Sequence, residues 1–155
     1  KRYLKDCYSD NKLSSGDFDL LGEKIDLKNV KIPVMVQASR DDHICPFESV
    51  YRTATVFGGD TKFVLSGSGH IAGVVNHPDS KKYQHWTGGK ITPTGAEWLE
   101  TAEEHPGSWW PYWWEWLRPK SGKKKAAVEP KDMGLGAAPG SYVRVRLQDI
   151  KLPLK

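Results

Sequence analysis

Val30-Lys31-Ile32-Pro33-Val34-Met35-Val36-Gln37-Ala38-Ser39 is the stretch on which the fold turns. β-Branched and apolar residues fill it, and Pro33 suits the opening positions of a strand. Its length and near-continuous apolar content are those of a parallel strand buried on both faces. Pro46 then opens Phe47 to Phe57, where Phe47, Val50, Tyr51 and Ala54 fall at i, i+3, i+4 and i+7 and Gly58-Gly59 supplies the stop. That is the pattern of an amphipathic helix. Thr61-Lys62-Phe63-Val64-Leu65-Ser66 forms a second short apolar strand, followed by the loop Gly67-Ser68-Gly69-His70. Strand, helix, strand and loop in this order predict a right-handed crossover in a parallel sheet, so the fold class is α/β.

Outward from this unit the signals weaken. Residues 1–29 are polar with scattered anchors (Tyr3, Leu4, Phe18, Leu20, Leu21) and are expected to form turns and a short helix. Two helices are expected downstream: Thr94 to Glu104, with Trp98 and Leu99 on its buried side, and Ser108 to Leu117, which is almost wholly aromatic. From Lys120 to Gly140 the composition shifts to Lys, Ala, Gly and Pro, the make-up of a flexible or loosely packed connection. Tyr142-Val143-Arg144-Val145-Arg146 alternates like an edge strand. The expected organisation is therefore a folded part over 1–118, a connecting segment over 119–140 and a strand-like tail over 141–155, with two or three strands in all.

The chain has 155 residues, 38% hydrophobic and 27% charged, a globular composition with room for one ordinary domain. Its formal net charge of +4 is concentrated in runs such as Lys123-Lys124-Lys125, which argues against nucleic acid as a partner. No apolar run is long enough to span a bilayer, so no transmembrane segment is expected. The two cysteines, Cys7 and Cys45, fit a reducing cytoplasm. The opening lacks Met and lies within a polar stretch, as in a fragment.

Two loops follow the carboxyl ends of the two strands, Arg40-Asp41-Asp42-His43-Ile44-Cys45-Pro46 and Gly67-Ser68-Gly69-His70. Active sites of open α/β sheets are built at that edge. In hydrolase-type sheets the order along the chain is nucleophile, acid, His, with acid and His each on a loop after a strand. Asp42 and His70 fit the second and third places. An imidazole takes a proton from a nucleophile only when its other nitrogen is held, and a carboxylate both holds it and favours the imidazolium that forms. On spacing alone, a turn-forming Asp and a structural His remain open.

Ser39-Arg40-Asp41-Asp42-His43-Ile44-Cys45-Pro46, Gly67-Ser68-Gly69-His70-Ile71-Ala72-Gly73-Val74, His85-Trp86-Thr87 and Gly107-Ser108-Trp109-Trp110-Pro111 occur in that order. Together they resemble the signature of polyhydroxyalkanoate synthases, the last element looking like the class I branch. The resemblance runs from Tyr3-Leu4 to Ala138-Pro139-Gly140-Ser141-Tyr142-Val143. It implies the carboxyl-terminal portion of an α/β-hydrolase fold. It also implies an acyltransferase that polymerises 3-hydroxyacyl units, short ones in class I, from their coenzyme A thioesters, with no further cofactor. The family's catalytic acid and base fall on Asp42 and His70. His70 would take the proton from a Cys in a G-x-C-x-G elbow, and Asp42 would orient His70 and, on one reading of the family's chemistry, help activate the 3-hydroxyl of the acceptor. The implied partners are a second synthase subunit in a homodimer, the growing polyester, its cytoplasmic granule surface and granule-associated proteins.

Cys7 lies between Asp6 and Tyr8 and Cys45 between Ile44 and Pro46, so neither stands in such an elbow, and no G-x-S-x-G occurs. The nucleophile is therefore expected upstream of this sequence. The chain alone is expected to be inactive and, cut through its sheet, to self-associate. Phe47 stands where the family more often has Trp, which calls for a packing adjustment. Cys45, with His43 and either His70 or His77, could suggest a metal, but paired ligand spacing is missing, so no metal is expected and Cys45 is read as a small buried side chain. Trp109, Trp110, Tyr112, Trp113, Trp114 and Trp116 leave almost no polar face. Core and subunit packing is the favoured reading of them, contact with a hydrophobic polyester the sharper one. A thioesterase or esterase would share the acid and base, and an aromatic binding module would need neither.

Overall fold

The computed structural model describes residues 1–129 and 133–150. They fall into two units, residues 1–120 and residues 121–155. The first begins with a π-helical stretch, Leu4–Ser9, and a short helix α1 (Lys12–Ser15). A hairpin follows, β1 (Phe18–Leu20) against β2 (Glu23–Ile25), pairing Leu20 with Glu23 across Leu21-Gly22. Both turn residues have positive φ, 56° and 87°, the geometry of a two-residue turn whose twist matches that of the strands. Asn-Gly or Asp-Gly usually announces that turn; Leu in the left-handed region does not, which is why only turns and helix were expected here.

Beyond the hairpin come β3 (Val34–Ser39), α2 (Phe47–Tyr51) with its continuation as a tighter turn over Arg52–Thr55, β4 (Thr61–Ser66) and β5 (Gln84–Thr87). The unit closes with α3 (Gly95–Thr101), β6 (Glu103–Pro106) and α4 (Trp110–Leu117). The main sheet has the order β3-β4-β5-β6. β3 and β4 are parallel, as the crossover requires, whereas β4–β5 and β5–β6 are antiparallel. The expected two or three strands are thus exceeded, by β5, β6 and the hairpin. The helix expected through Glu104 stops at Thr101, because residues 103–106 pair with β5 and a sheet edge satisfied by hydrogen bonds outweighs the helix propensity of Glu.

One face of the sheet makes the core. Val36 and Ala38 of β3, Phe63 and Leu65 of β4 and Trp86 of β5 are buried against Tyr51 and Ala54 of the crossover and Trp98 of α3. Phe63 is the hub: its ring meets Tyr51 at 4.9 Å and Trp98 at 4.8 Å, both edge-on. Phe47 packs on Phe63 at 6.0 Å. Buried polar tips find partners: Trp98 Nε1 donates to Gly89 O, and Tyr51 Oη accepts from Thr92 N. A Cβ on Gly89 would stand 2.6 Å from Nε1 of the Trp98 ring, so this close approach needs glycine. Among the described residues no helix is long and apolar enough to cross a membrane.

In the second unit, residues 133–150 contain tight turns at Tyr142–Arg144 and Leu147–Asp149, where an edge strand was expected. Val143 and Val145 are 65% and 51% exposed and pair with no strand among the described residues; the segment closes local bonds, Arg144 N to Ser141 O and Val145 N to Tyr142 O. Residues 130–132 of the expected connection and 151–155 of the expected tail lie outside the described residues.

In the full-length protein Trp98→Ala is expected to lower unfolding free energy by about 3–5 kcal/mol. Trp113→Ala, at a side chain of the first unit that is 38% exposed, should lower it by under about 1 kcal/mol. Equal losses in urea unfolding would contradict this placement of the core.

Candidate active site

Asp42 and His70 meet because two strands end together. β3 and β4 run in register to Ser39 opposite Ser66. The chains leaving them stay joined, since Arg40 N donates to Ser66 O at 2.8 Å and Asp41 N to Ser68 O at 3.0 Å. Ser68 presents that carbonyl from φ 75°, the left-handed region that residues other than Gly, Asn and Asp seldom occupy. Two residues on, His70 Nδ1 lies 2.8 Å from Asp42 Oδ2. The structure therefore brings together the two residues singled out in the sequence.

The other oxygen of Asp42 is held by its own loop: Oδ1 accepts from Ile44 N and Cys45 N, each at 2.9 Å. The Cys45 amide first, then the His70 ring and the Ile44 amide, hold the Asp42 carboxyl below its ordinary pKa against an opposing effect of desolvation. An ionised carboxylate only accepts, so Nδ1 of His70 carries the proton on this bond and Nε2 of the neutral ring keeps its lone pair. The Asp42 side chain is 7% exposed and that of His70 is 43% exposed, so the acid lies sheltered beneath an accessible imidazole.

Loop packing fixes the imidazole. A Cβ on Gly67 would come 2.9 Å from Gln84 O, and one on Gly73 would stand 2.7 Å from Ser39 Cβ, so the turn after His70 lies directly on the end of β3. The Gly107-Ser108-Trp109-Trp110-Pro111 element holds the same turn from outside: Trp109 Nε1 donates to Gly73 O at 3.1 Å and Trp110 Nε1 to Val74 O at 2.9 Å. Sequence reasoning missed these indole donors; the motif was visible, but its carbonyl partners were not. Trp86 stacks beneath Arg40 at 5.2 Å, and buried His85 meets Gly107 O through Nδ1 at 3.1 Å. Desolvation pushes the His85 pKa down, with His105 adding to the effect and the Gly107 bond opposing it. His85 is thus kept neutral as a structural link between β5 and the aromatic element.

Two expectations are corrected. Cys45 is exposed rather than buried, because the Asp42-capped turn that carries it lies at the surface. No residue of α4 is buried in this chain, and Trp114 is 50% exposed, so the aromatic helix is not core here. As for a metal, ligand atoms of Asp42, Cys45 and His70 all lie within 4.8 Å of one another. His77 is engaged elsewhere, accepting from Asp79 N and lying against the Trp110 ring at 6.0 Å.

Sheet and site together define an α/β protein with a carboxylate–imidazole pair at the carboxyl ends of adjacent parallel strands. The chain matches no family model. It is 50% identical over 147 residues to the poly(3-hydroxyalkanoate) polymerase subunit PhaC of Rhizobium etli, covering 93% of this chain and 23% of that protein. The corresponding subunit of Rhizobium meliloti is 46% identical over 147 residues, with 93% and 24% covered. That of Cupriavidus necator is 38% identical over 151 residues, with 93% and 25% covered. The chain thus spans about a quarter of the length of the curated relatives it matches, and it belongs to the poly(3-hydroxyalkanoate) polymerase family.

Because the pKa of Asp42 is depressed in the folded protein, the order it lends to the loop is complete above the unfolded-state value and is lost as pH falls through the lower folded value. Hydrogen exchange of the peptide covering 42–46 in the full-length protein should show Ile44 and Cys45 amides protected at neutral pH and released only below the ordinary carboxylate range. Asp42→Ala should release them at every pH. Protection unchanged by that substitution would sink the assignment.

Proposed function

We propose that this chain is the carboxyl-terminal part of an α/β-hydrolase-fold acyltransferase that polymerises 3-hydroxyacyl groups, 3-hydroxybutyryl foremost, from their coenzyme A thioesters. The observation that carries the reading is the 2.8 Å bond between His70 Nδ1 and Asp42 Oδ2 in a chain of this family. His70 Nε2 serves as the base and removes the proton from a cysteine thiol supplied by sequence upstream of residue 1. The thiolate attacks the thioester carbonyl, coenzyme A leaves as a thiolate, and the acyl group is held on the enzyme as a new thioester. His70, now an imidazolium stabilised by Asp42, returns its proton to the departing coenzyme A. In the next half-reaction it activates the 3-hydroxyl of the acceptor, with Asp42 holding the ring. No cofactor beyond the thioester substrate enters the scheme, and neither does a metal.

The same reading assigns residues 1–118 to the catalytic domain, 119–140 to a connection and 141–155 to a tail. It places the whole enzyme in the cytoplasm at the surface of its polyester granule, as a homodimer in contact with granule-associated proteins. The exposed Trp113 and Trp114 of α4 are available to a second subunit or to polymer.

The test joins this segment to its native upstream sequence and follows thiol release and polymer from 3-hydroxybutyryl-coenzyme A. His70→Ala is expected to lower turnover by at least ~100-fold, the scale of a lost general base. Thiol release without polymer would indicate a thioesterase instead, and undiminished turnover without His70 would end the proposal. Trp110→Phe, which keeps an aromatic ring of smaller size and removes the donor to Val74 O, should lower kcat with little change in KM through misplacement of the base. A rate equal to wild type would refute that positioning role.

A further inference from the structure

We propose that Asp42, Cys45 and His70 form a binding site for one borderline-soft divalent cation of the zinc type, and that the bound ion switches the enzyme off. The first half stands on the geometry alone; the second rests on His70 acting as the base.

The three residues offer an oxygen, a sulfur and a nitrogen, the donor set that zinc accepts and that harder cations such as magnesium do not favour. Their ligand atoms lie within 4.8 Å of one another, and ligation through His70 Nδ1 would replace its 2.8 Å hydrogen bond to Asp42 with a shared ion, the ring proton passing to Nε2 as the two atoms move apart. Zinc–ligand bonds of about 2.0–2.3 Å in a tetrahedral site imply donor separations of about 3.3–3.8 Å. Closing the widest gap therefore takes a shift on the order of an ångström, within reach of rotation about the Cα–Cβ bond of an exposed cysteine. The loop is prepared for this closure, because the Asp42 Oδ1 bond to Cys45 N fixes the cysteine backbone beside the carboxylate. With Cys45 exposed and His70 43% exposed, an ion can enter from solvent and keep water as its fourth ligand.

Asp42 is ionised, His70 binds as the neutral ring, and the Cys45 thiol releases one proton as it becomes the thiolate ligand. Carboxylate and thiolate together neutralise the dication. A neutral imidazole has a single nitrogen lone pair, so whichever ring nitrogen ligates the ion, none is left to accept a proton from the nucleophile.

The experiment uses the full-length enzyme, freed of metal, with Co²⁺ as the optical probe. The wild type should show a thiolate-to-cobalt charge-transfer band that saturates at one ion more than in Cys45→Ser and is bleached by Zn²⁺. In parallel, thiol release from 3-hydroxybutyryl-coenzyme A is read as the ratio of rates with and without Zn²⁺ within each variant. Half-inhibition of Cys45→Ser should need at least tenfold more zinc than wild type, while Cys45→His, which restores a nitrogen ligand, should regain sensitivity without regaining the band. A band of equal intensity in Cys45→Ser overturns the site. A Cys45-dependent band with no zinc inhibition leaves the site in place, overturns the switch and counts against His70 as base.

Discussion

The register of one parallel strand pair governs the rest of this molecule. β3 and β4 pair from Val34 opposite Thr61 to Ser39 opposite Ser66. Both chains consequently leave the sheet at the same height, and the amides of Arg40 and Asp41 clip the two exits together before either functional side chain is reached. A slip of a single residue would move one exit by about 3.3 Å and turn its side chains to the opposite face. A 2.8 Å contact between Asp42 and His70 does not survive such an error. The register is in turn specified by burial: Val36, Ala38, Phe63 and Leu65 must share the face covered by Tyr51 and Trp98.

That dependence explains what could be read from the residues alone. The strand–helix–strand unit announces itself through apolar periodicity, because its pattern is set by local packing against one face. Asp42 and His70 were legible as loop residues after strands, and the four ordered motifs resembled a family to which the chain does belong. β5 and β6 were not legible. Gln84-His85-Trp86-Thr87 is short and carries a single large apolar residue, so Gly88-Gly89 after it marks a turn without marking a strand, and Glu103-Glu104-His105 reads as helix until a neighbouring strand offers hydrogen bonds. The hairpin before β3 was hidden by a leucine in a turn that ordinarily calls for Asn or Gly.

Cys45 and the aromatic helix failed for a different reason. Residue type alone suggested burial for both, yet depth is decided by what neighbouring elements cover. Cys45 lies in a turn whose amides are turned inward to a carboxylate, which leaves its thiol outside. The tryptophans of the Gly107 to Pro111 element act through their N–H groups as much as through their ring area, so a reading based on hydrophobicity undervalues them.

Those indole bonds also impose a timetable. The turn after His70 is held by side chains that lie 36 residues further along the chain, and synthesis proceeds from the amino end. A ribosome that has delivered β3, β4 and His70 has therefore not yet delivered the clamp that steadies them. The bonds that hold the turn beside the His70 ring can close only after Trp109 and Trp110 have emerged, so this loop is completed among the last local events in the making of the segment rather than with the sheet that carries it.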